Sequence, residues 1–434
     1  MDRAEKRLVG FKALLADVHR RLGLEFGFRL WDGALVPADW PADALTIAIA
    51  DEGAVASLVR APRLPTLANL WAAKRLDIVN GTLFDLVAKR PKTRTRELRK
   101  GLDKLAALTT ALSFLFTPRG GPWPLEGVGQ DRESGGAEAE NKKNIAYHYD
   151  VSNAFYRLWL DEEMVYTCGY FHDWSDGLDA AQINKLDMVC RKLRLKPGET
   201  MLDIGSGWGA LACHAARHYG VNVVGVTLSE EQIAFARDKV ERLGLADRVT
   251  FELRDYALLE GRERFDKISS VGMFEAIGVS HFSTYFETVR RLLKPDGLYL
   301  HHAITRPGKR AAVKGGRKRP EFAALTRYIF PGGELDHLGR TITNLEQHGF
   351  EVRDVEGWRE HYQRTCRFWH DRLLARYDDA CREVGEAKTR VWLVYLASCS
   401  IVFERGHCGL YQTLVAKRAR GASALPPTRA DLYR

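Results

Sequence analysis

Residues 201–232, MLDIGSGWGALACHAARHYGVNVVGVTLSEEQ, leave this chain few folds to choose from. Apolar Met201, Leu202 and Ile204 run into a turn with glycine at 205, 207 and 209. An amphipathic stretch follows, then a second apolar run over 221–226. Strand, glycine-rich turn, helix and strand make half of a doubly wound parallel sheet, with a ligand crevice at the carboxyl ends of its strands. Gly205, Gly207 and Gly209 let backbone N–H groups approach a ligand closely. Asp203 sits where a carboxylate can hold a cationic or hydroxyl-bearing group.

Two ligands compete for such a turn. A dinucleotide wants G-x-G-x-x-G directly after the strand and an acid about 20 residues on. Here the turn is D-x-G-x-G-x-G, and it resembles the first motif of S-adenosylmethionine (SAM)-dependent methyltransferases. Thr227 and Gln232 stand where a ribose-binding acid often does. The whole pattern favours SAM.

At 434 residues the chain has room for two domains and a large core. It contains no run of 18 apolar residues, so no membrane span is expected. The first 26 residues carry Arg3, Lys6, Arg7 and Lys12 among apolar positions at helical spacing, unlike a signal peptide. Seven scattered cysteines without C-x-x-C fit reduced thiols in a cytoplasm, with neither disulfides nor a metal site. The formal charge of +9 is uneven: residues 89–100 and 306–319 each hold seven Lys/Arg. They are either solvated loops or contacts with an anionic surface.

Residues 117–143 are rich in Gly, Pro and Glu, lack apolar periodicity and read as a linker. Residues 1–116 before it read as a smaller α+β domain, with a helix over 5–21, a strand over 45–50 and a hairpin or strand-turn over 76–85. Residues 144–434 read as an α/β catalytic domain. Strands are expected at 201–204, 221–226, 249–253, 267–271 and 297–303, and helices at 180–193, 210–219, 230–243 and 282–293. Such alternation indicates a parallel sheet. The C-terminal part reads as helical, returning as a strand near 350–355.

Further segments resemble the cyclopropane-fatty-acid synthase family, which includes mycolic acid cyclopropane synthases and methyltransferases. They are HYDVSNAFY (148–156), YTCGY (166–170), VGMFEAIG (271–278), GLYLHHAI (297–304), YIFPG (328–332), HYQRT (361–365) and YLASC (395–399). Seven blocks in order, from about residue 144 to 417, make the resemblance specific. It implies a Rossmann-like methyltransferase fold with a small N-terminal lipid-associated domain. It also implies transfer of a methylene from SAM to the cis double bond of unsaturated acyl chains in phospholipids, at an anionic membrane surface on the cytoplasmic side. A homodimer is compatible with it.

The chemistry explains the residues. An isolated alkene is a poor nucleophile, so the sulfonium methyl must be held against it in line and dry. Attack gives a methylated carbocation, and a base must then take a proton from the new methyl for the ring to close. The family uses bound bicarbonate. Its holders carry over as Glu275, His302, Tyr362 and the backbone around Cys168 and Ile304, with donors outnumbering the carboxylate. The SAM contacts carry over as Tyr166, Thr167, Gly205, Gly207, Thr227, Gln232, Asp255 and Tyr256, with Asp203 and Gly209 supporting the turn.

Plainer readings stand beside these. His301 and His302 are adjacent on a strand and face opposite sides, so only one can enter a pocket; register with the family picks His302. Cys168 and Cys399 are most simply packing residues. Some family members carry a cysteine labelled catalytic at the position of Cys399, but no thiolate is required here. Ser206, Ala276, Cys366 and Thr305 depart from the family pattern. Ala276, which replaces a His or similar polar residue, is expected to border the anion pocket; a loosened anion would favour a methyl-branched or methylene product. A nucleic-acid methyltransferase would need a motif such as (N/D)PP(Y/F), and none occurs.

Overall fold

A computed structural model describes residues 2–91, 103–125, 151–308, 334–418, 421 and 425–433. The chain divides into two compact units: Met1–Val128 with Val384–Ala397, and Gly129–Glu383 with Ser398–Arg434.

The smaller unit is built on a mixed sheet of β1 (Gly27–Arg29), β2 (Leu35–Val36), β3 (Thr46–Ile49) and β4 (Leu76–Val79), ordered β2-β1-β3-β4. Helix Arg3–Leu22, capped by Asp2, packs Phe11 against Phe114, Leu30, Ile49 and Leu70. The stretch expected as a hairpin or strand-turn at 76–85 is instead a strand followed by a helix. The chain leaves β4 at Asn80 with φ of 57°, and a capping box between Thr82 and Asp85 starts helix Leu83–Ala88. The C-terminal segment in this unit is pinned by Arg390. Its guanidinium lies 4.3 Å above the Trp71 ring and donates to Trp71 O at 2.8 Å and Asp77 Oδ1 at 2.9 Å. Residues 117–125, the start of the stretch read as a linker, pack here: buried Arg75 donates to Arg119 O at 2.7 Å. Residues 126–143 of that stretch lie outside the described residues.

The larger unit holds a seven-stranded sheet, ordered β10-β11-β9-β8-β5-β6-β7. The strands are β5 (Thr200–Ile204), β6 (Asn222–Thr227), β7 (Val249–Leu253), β8 (Phe265–Val271), β9 (Leu293–Thr305), β10 (Phe350–Gly357) and β11 (Gly409–Lys417). Strands β5 to β9 are mutually parallel, and β11 runs antiparallel to both β9 and β10. One apolar layer, including Val189, Leu193, Ala212, Ala216 and Ile233, covers one face of the sheet. A second, with Phe274, Tyr285, Phe286 and Val289, covers the other. From β5 the chain winds outward through β6 to β7, then returns to β8 on the opposite side. That reversal opens a crevice at the carboxyl ends of β5 and β8. The doubly wound sheet expected from the sequence is present, with β5 to β9 at the expected places.

Strand β11 corrects the expectation of an all-helical C-terminal part interrupted only near 350–355. Its residues are buried on both faces, so it lacks the two-residue alternation that marks a strand. Among the described residues no helix is long and apolar enough to cross a membrane.

Candidate active site

The glycine turn follows β5. Gly205, Gly207 and Gly209 all have positive φ, at 78°, 54° and 82°. The amides of Gly205 and Ser206 donate to Val226 O at 2.9 and 3.0 Å, tying the turn to β6. A Cβ on Gly205 would lie 2.8 Å from Met273 Cβ, and one on Gly209 would lie 2.7 Å from Phe251 Cζ. A Cβ on Gly207 would meet nothing within 4 Å. Two of these glycines therefore serve packing, while Gly207 faces open space.

Of the other expected SAM residues, Asp203, Thr227, Gln232, Asp255 and Tyr256 lie at or just past the carboxyl ends of the adjacent strands β5, β6 and β7. Asp203 is buried and accepts from Ser269 Oγ at 2.7 Å; burial pushes its carboxyl up to about 6. At the end of β6, Thr227 Oγ1 donates to Gln232 Oε1 at 2.9 Å. Beyond β7, Arg254 N donates to Thr227 O at 3.1 Å, and Asp255 accepts from Ala257 N at 2.9 Å. Tyr256 packs edge-on to Tyr285 at 5.1 Å, and burial raises its phenol.

Tyr166 and Thr167 approach from a segment outside the sheet. The Tyr166 ring lies 5.3 Å from Trp159, 5.6 Å from Tyr156 and 5.2 Å from Trp369, in an aromatic cluster. Thr167 Oγ1 accepts from Lys185 Nζ at 3.0 Å, and Thr167 O accepts from Gln182 Nε2 at 2.8 Å. Burial pulls the Lys185 amine down to about 8, against the opposing pull of Asp161.

A second group assembles at the ends of β8 and β9. Glu275 Oε1 accepts from Ile304 N at 2.6 Å, while its buried Oε2 has no partner. The residue as a whole is partly exposed, but its carboxyl is enclosed, and burial lifts it to about 7. His302 Nδ1 lies 3.1 Å from Gln412 Nε2, and its Nε2 is buried without a partner. Burial, reinforced by Lys185 and Lys192, holds this imidazole neutral. His301 points to the other face, 2.8 Å from Tyr299 Oη and edge-on to Phe274, as strand alternation requires.

Tyr362, on helix Arg359–Ala375, stacks on Phe403 at 4.7 Å. Its phenol is raised by burial and, less, by the charges that Cys366, Cys168, Cys399 and Glu275 would carry. Burial keeps Cys168 a neutral thiol donating to Gly169 O at 3.1 Å, so any role at that position belongs to its backbone. Cys399 is half-buried. Ala276 is exposed, in contrast to the enclosed Glu275 carboxyl. Among the described residues no three His, Cys, Asp or Glu gather as metal ligands. Residues 148–150, 328–332, 92–100 and 309–319, named above as motif or basic segments, lie outside the described residues.

Four polar residues escape the sequence reading: Gln182, Lys185, Lys192 and Gln412. The first three carried a signal. On helix Leu178–Leu193 the buried positions 178, 181, 182, 185, 186, 189, 192 and 193 form one stripe, so two lysines interrupt an apolar face. Charges there are rarely buried without work to do.

Comparison with known proteins agrees with this geometry. The family model described as mycolic acid cyclopropane synthetase matches residues 137–413. A Pseudomonas putida protein named as a probable fatty acid methyltransferase is 44% identical over 294 residues, 67% of this chain and 73% of that protein. The cyclopropane-fatty-acyl-phospholipid synthase of Escherichia coli strain K12 is 37% identical over 273 residues, 62% of this chain and 66% of that one. A mycolic acid cyclopropane synthase solved with SAH and CTAB superposes with a TM-score of 0.60 at 32% identity, covering 64% of this chain and 98% of the other. With the glycine turn at the switch point of the sheet and the family match spanning most of the larger unit, this chain belongs to the mycolic acid cyclopropane synthetase family and is a SAM-dependent methyltransferase.

Proposed function

We propose that the protein transfers a one-carbon unit from SAM to the cis double bond of unsaturated acyl chains in membrane phospholipids, forming cyclopropane fatty acids. One observation carries this reading: beside the SAM-type turn, the carboxyl ends of β8 and β9 carry two polar atoms, Glu275 Oε2 and His302 Nε2, that are buried without partners. Transfer to an amine or hydroxyl needs no such dry polar pair. An alkene acceptor does, because water would intercept the cation before a proton could leave.

Asp203, Gly205, Gly207, Gly209, Thr227, Gln232, Asp255 and Tyr256 hold SAM, and Tyr166 and Thr167 close over it. The rings of Tyr156, Trp159 and Trp369 keep that region dry. Glu275, His302, Tyr362 and the backbone at Cys168 and Ile304 hold bicarbonate, which when bound supplies the base for the departing methyl proton. The orphaned Nε2 and Oε2 suit such an ion, one as donor and the other as acceptor of its hydroxyl proton. Cys399 serves packing beside Tyr362. Because Ala276 is exposed, its departure from the family pattern leaves the enclosed carboxyl in place, which favours ring closure over a branched product.

Incubation with labelled SAM and unsaturated phospholipid vesicles, followed by lipid mass analysis, tests the reading. A cyclopropane and a branched olefin share a mass, but under mild hydrogenation only the olefin takes up hydrogen. A wholly olefinic product would remove ring closure, and unlabelled lipid would remove the function.

The membrane surface has its own support. Leu105, Leu108 and Leu112, 71%, 57% and 49% exposed, line one side of helix Lys104–Phe114, followed by Phe116 at 93%. Seven Lys/Arg at 89–100 precede them in sequence. An exposed apolar stripe that follows a basic segment in sequence suits an anionic bilayer. Binding to anionic vesicles should therefore fall several-fold between low and physiological salt. Neutralising Arg317, Lys318 and Arg319 should weaken it while sparing SAM affinity. Salt-independent flotation with vesicles would return both basic segments to solvent.

A further inference from the structure

We infer that Gln412 and Lys192 are positioning residues that fix the tautomer of His302, keeping its proton on Nε2. The inference rests on the proposed reading of His302 as an anion-holding group.

Three neighbouring strands place the relevant side chains in one row. Gln412 on β11 is the register partner of His302 on β9 and of Glu356 on β10. Directly paired residues share a face of the sheet. Helix Leu178–Leu193 brings Lys192 down onto that row, fully buried. Its Nζ donates to Gln412 Oε1 at 2.8 Å and to Glu356 Oε2, lies 3.9 Å from Asp354 Oδ2, and sits 5.3 Å from the Trp358 ring. Glu356 and Asp354 balance its charge, the latter shared with Arg429.

The row has only one consistent polarity. An ammonium has donors and no acceptor, so it claims the carbonyl oxygen of Gln412. The amide nitrogen is thereby turned toward His302 Nδ1, 3.1 Å away. An NH₂ group can only donate there, so Nδ1 is the acceptor. A neutral imidazole then carries its proton on Nε2. That atom is buried and unpartnered, a donor left over for a ligand. The opposite tautomer would present a lone pair to any anion in the pocket. Lys192 bonds to Gln412 rather than to His302, yet the direction of the last hydrogen bond depends on it.

The test is imidazole ¹⁵N spectroscopy on the full chain labelled at histidine, with the His302 signals identified by their loss in His302→Gln. In the wild type Nδ1 should be bare and Nε2 protonated. Gln412→Glu keeps the size of the side chain but replaces the donor with an acceptor, so Nδ1 should gain the proton. Turnover should then fall roughly 10- to 100-fold, the usual range for lost outer-shell partners, with SAM affinity unchanged. Lys192→Met should leave the amide free to turn over and give mixed tautomers. A wild-type His302 protonated at Nδ1 would overturn the inference, whether or not the variants fold. So would full turnover in a Gln412→Glu protein whose tautomer has switched. A wild type that labels no lipid would instead overturn the proposed function, leaving the spectroscopic result standing.

Discussion

Glu275→Gln should lower turnover roughly 100-fold or more while leaving SAM affinity nearly unchanged, as expected for loss of a positioned acid–base group. The substitution preserves shape. A glutamine carbonyl can still accept from Ile304 N, so the junction between the turn after β8 and the end of β9 survives. What disappears is the buried acceptor at Oε2. An amide NH₂ there meets the same anion as a donor only and cannot take its hydroxyl proton. Bicarbonate depletion should accordingly slow the wild type and affect the variant less. Single-turnover kinetics on vesicles with SAM saturating would show it, and a variant within a few-fold of the wild type would end the assignment.

The same carboxyl makes a stability prediction. Burial raises it from an ordinary 4.5 to about 7, so the folded chain holds this proton more tightly than the unfolded chain does. Stability therefore falls as pH rises through that window, because the folded state must either keep a proton that solvent withdraws or bury a charge. Two and a half pH units correspond to roughly 3 to 4 kcal/mol at the limit. Glu275→Gln carries no such proton. In urea titrations of the ligand-free protein, the wild type should lose stability relative to the variant between about pH 4.5 and 7. Parallel curves would place the carboxyl in contact with water.

How much of this was legible from sequence depends on where each residue's partners lie. Strands β5 and β6 with the intervening turn are nearly local: apolar run, glycines and apolar run fall within 32 residues. Local patterns are what periodicity detects. Strand β11 escapes because both its faces are buried, so Gly409–Lys417 shows no alternation. Gln412 escapes for a deeper reason. Its partners lie 110 and 220 residues away in sequence, and nothing around position 412 marks it as the middle of a row. Lys185 and Lys192 were legible in principle, as charges within an apolar stripe. Reading a buried lysine from such a stripe requires confidence in the helix register that the fold then supplies.

The site divides similarly. That only one of His301 and His302 can enter the pocket follows from the two-residue period of a strand, the family register picks His302, and the two rings do face opposite layers. Glu275 is different. A carboxylate after a strand, in the apolar run Phe274 to Ile277, already argues against a chance acid because unpaired acids are rarely buried, and the family blocks supply its role. The unpartnered Oε2 becomes visible once β9 brings Ile304 against it. Ala276 marks the limit of that resemblance: sequence adjacency to Glu275 suggested a pocket-lining side chain, yet neighbouring residues in a 3-10 turn point in different directions, and this one is exposed.

Gly207→Val should abolish SAM binding in a protein that still folds, and the glycine turn shows why these two effects separate. At Gly205 and Gly209 an added Cβ strikes protein atoms at 2.8 and 2.7 Å, so substitution there attacks the fold through Met273 and Phe251. At Gly207 an added Cβ meets nothing within 4 Å, so the cost shown for the ligand-free chain is backbone strain at φ of 54°. That strain is of order 1–3 kcal/mol, which a unit of this size can absorb. The space it fills is the one the turn keeps clear at the carboxyl end of β5, where the methionine part of SAM must meet the backbone. A branched side chain excludes it, and a loss of roughly 100-fold or more in affinity corresponds to only ~2.8 kcal/mol. Calorimetric titration with SAM, beside thermal unfolding of Gly207→Val and Gly209→Ala, separates the two. The first variant should lose binding with a modest drop in melting temperature, and the second should lose stability in larger measure. Undiminished SAM affinity in folded Gly207→Val would move the ligand away from this turn and remove the assignment of Asp203, Thr227 and Gln232 with it.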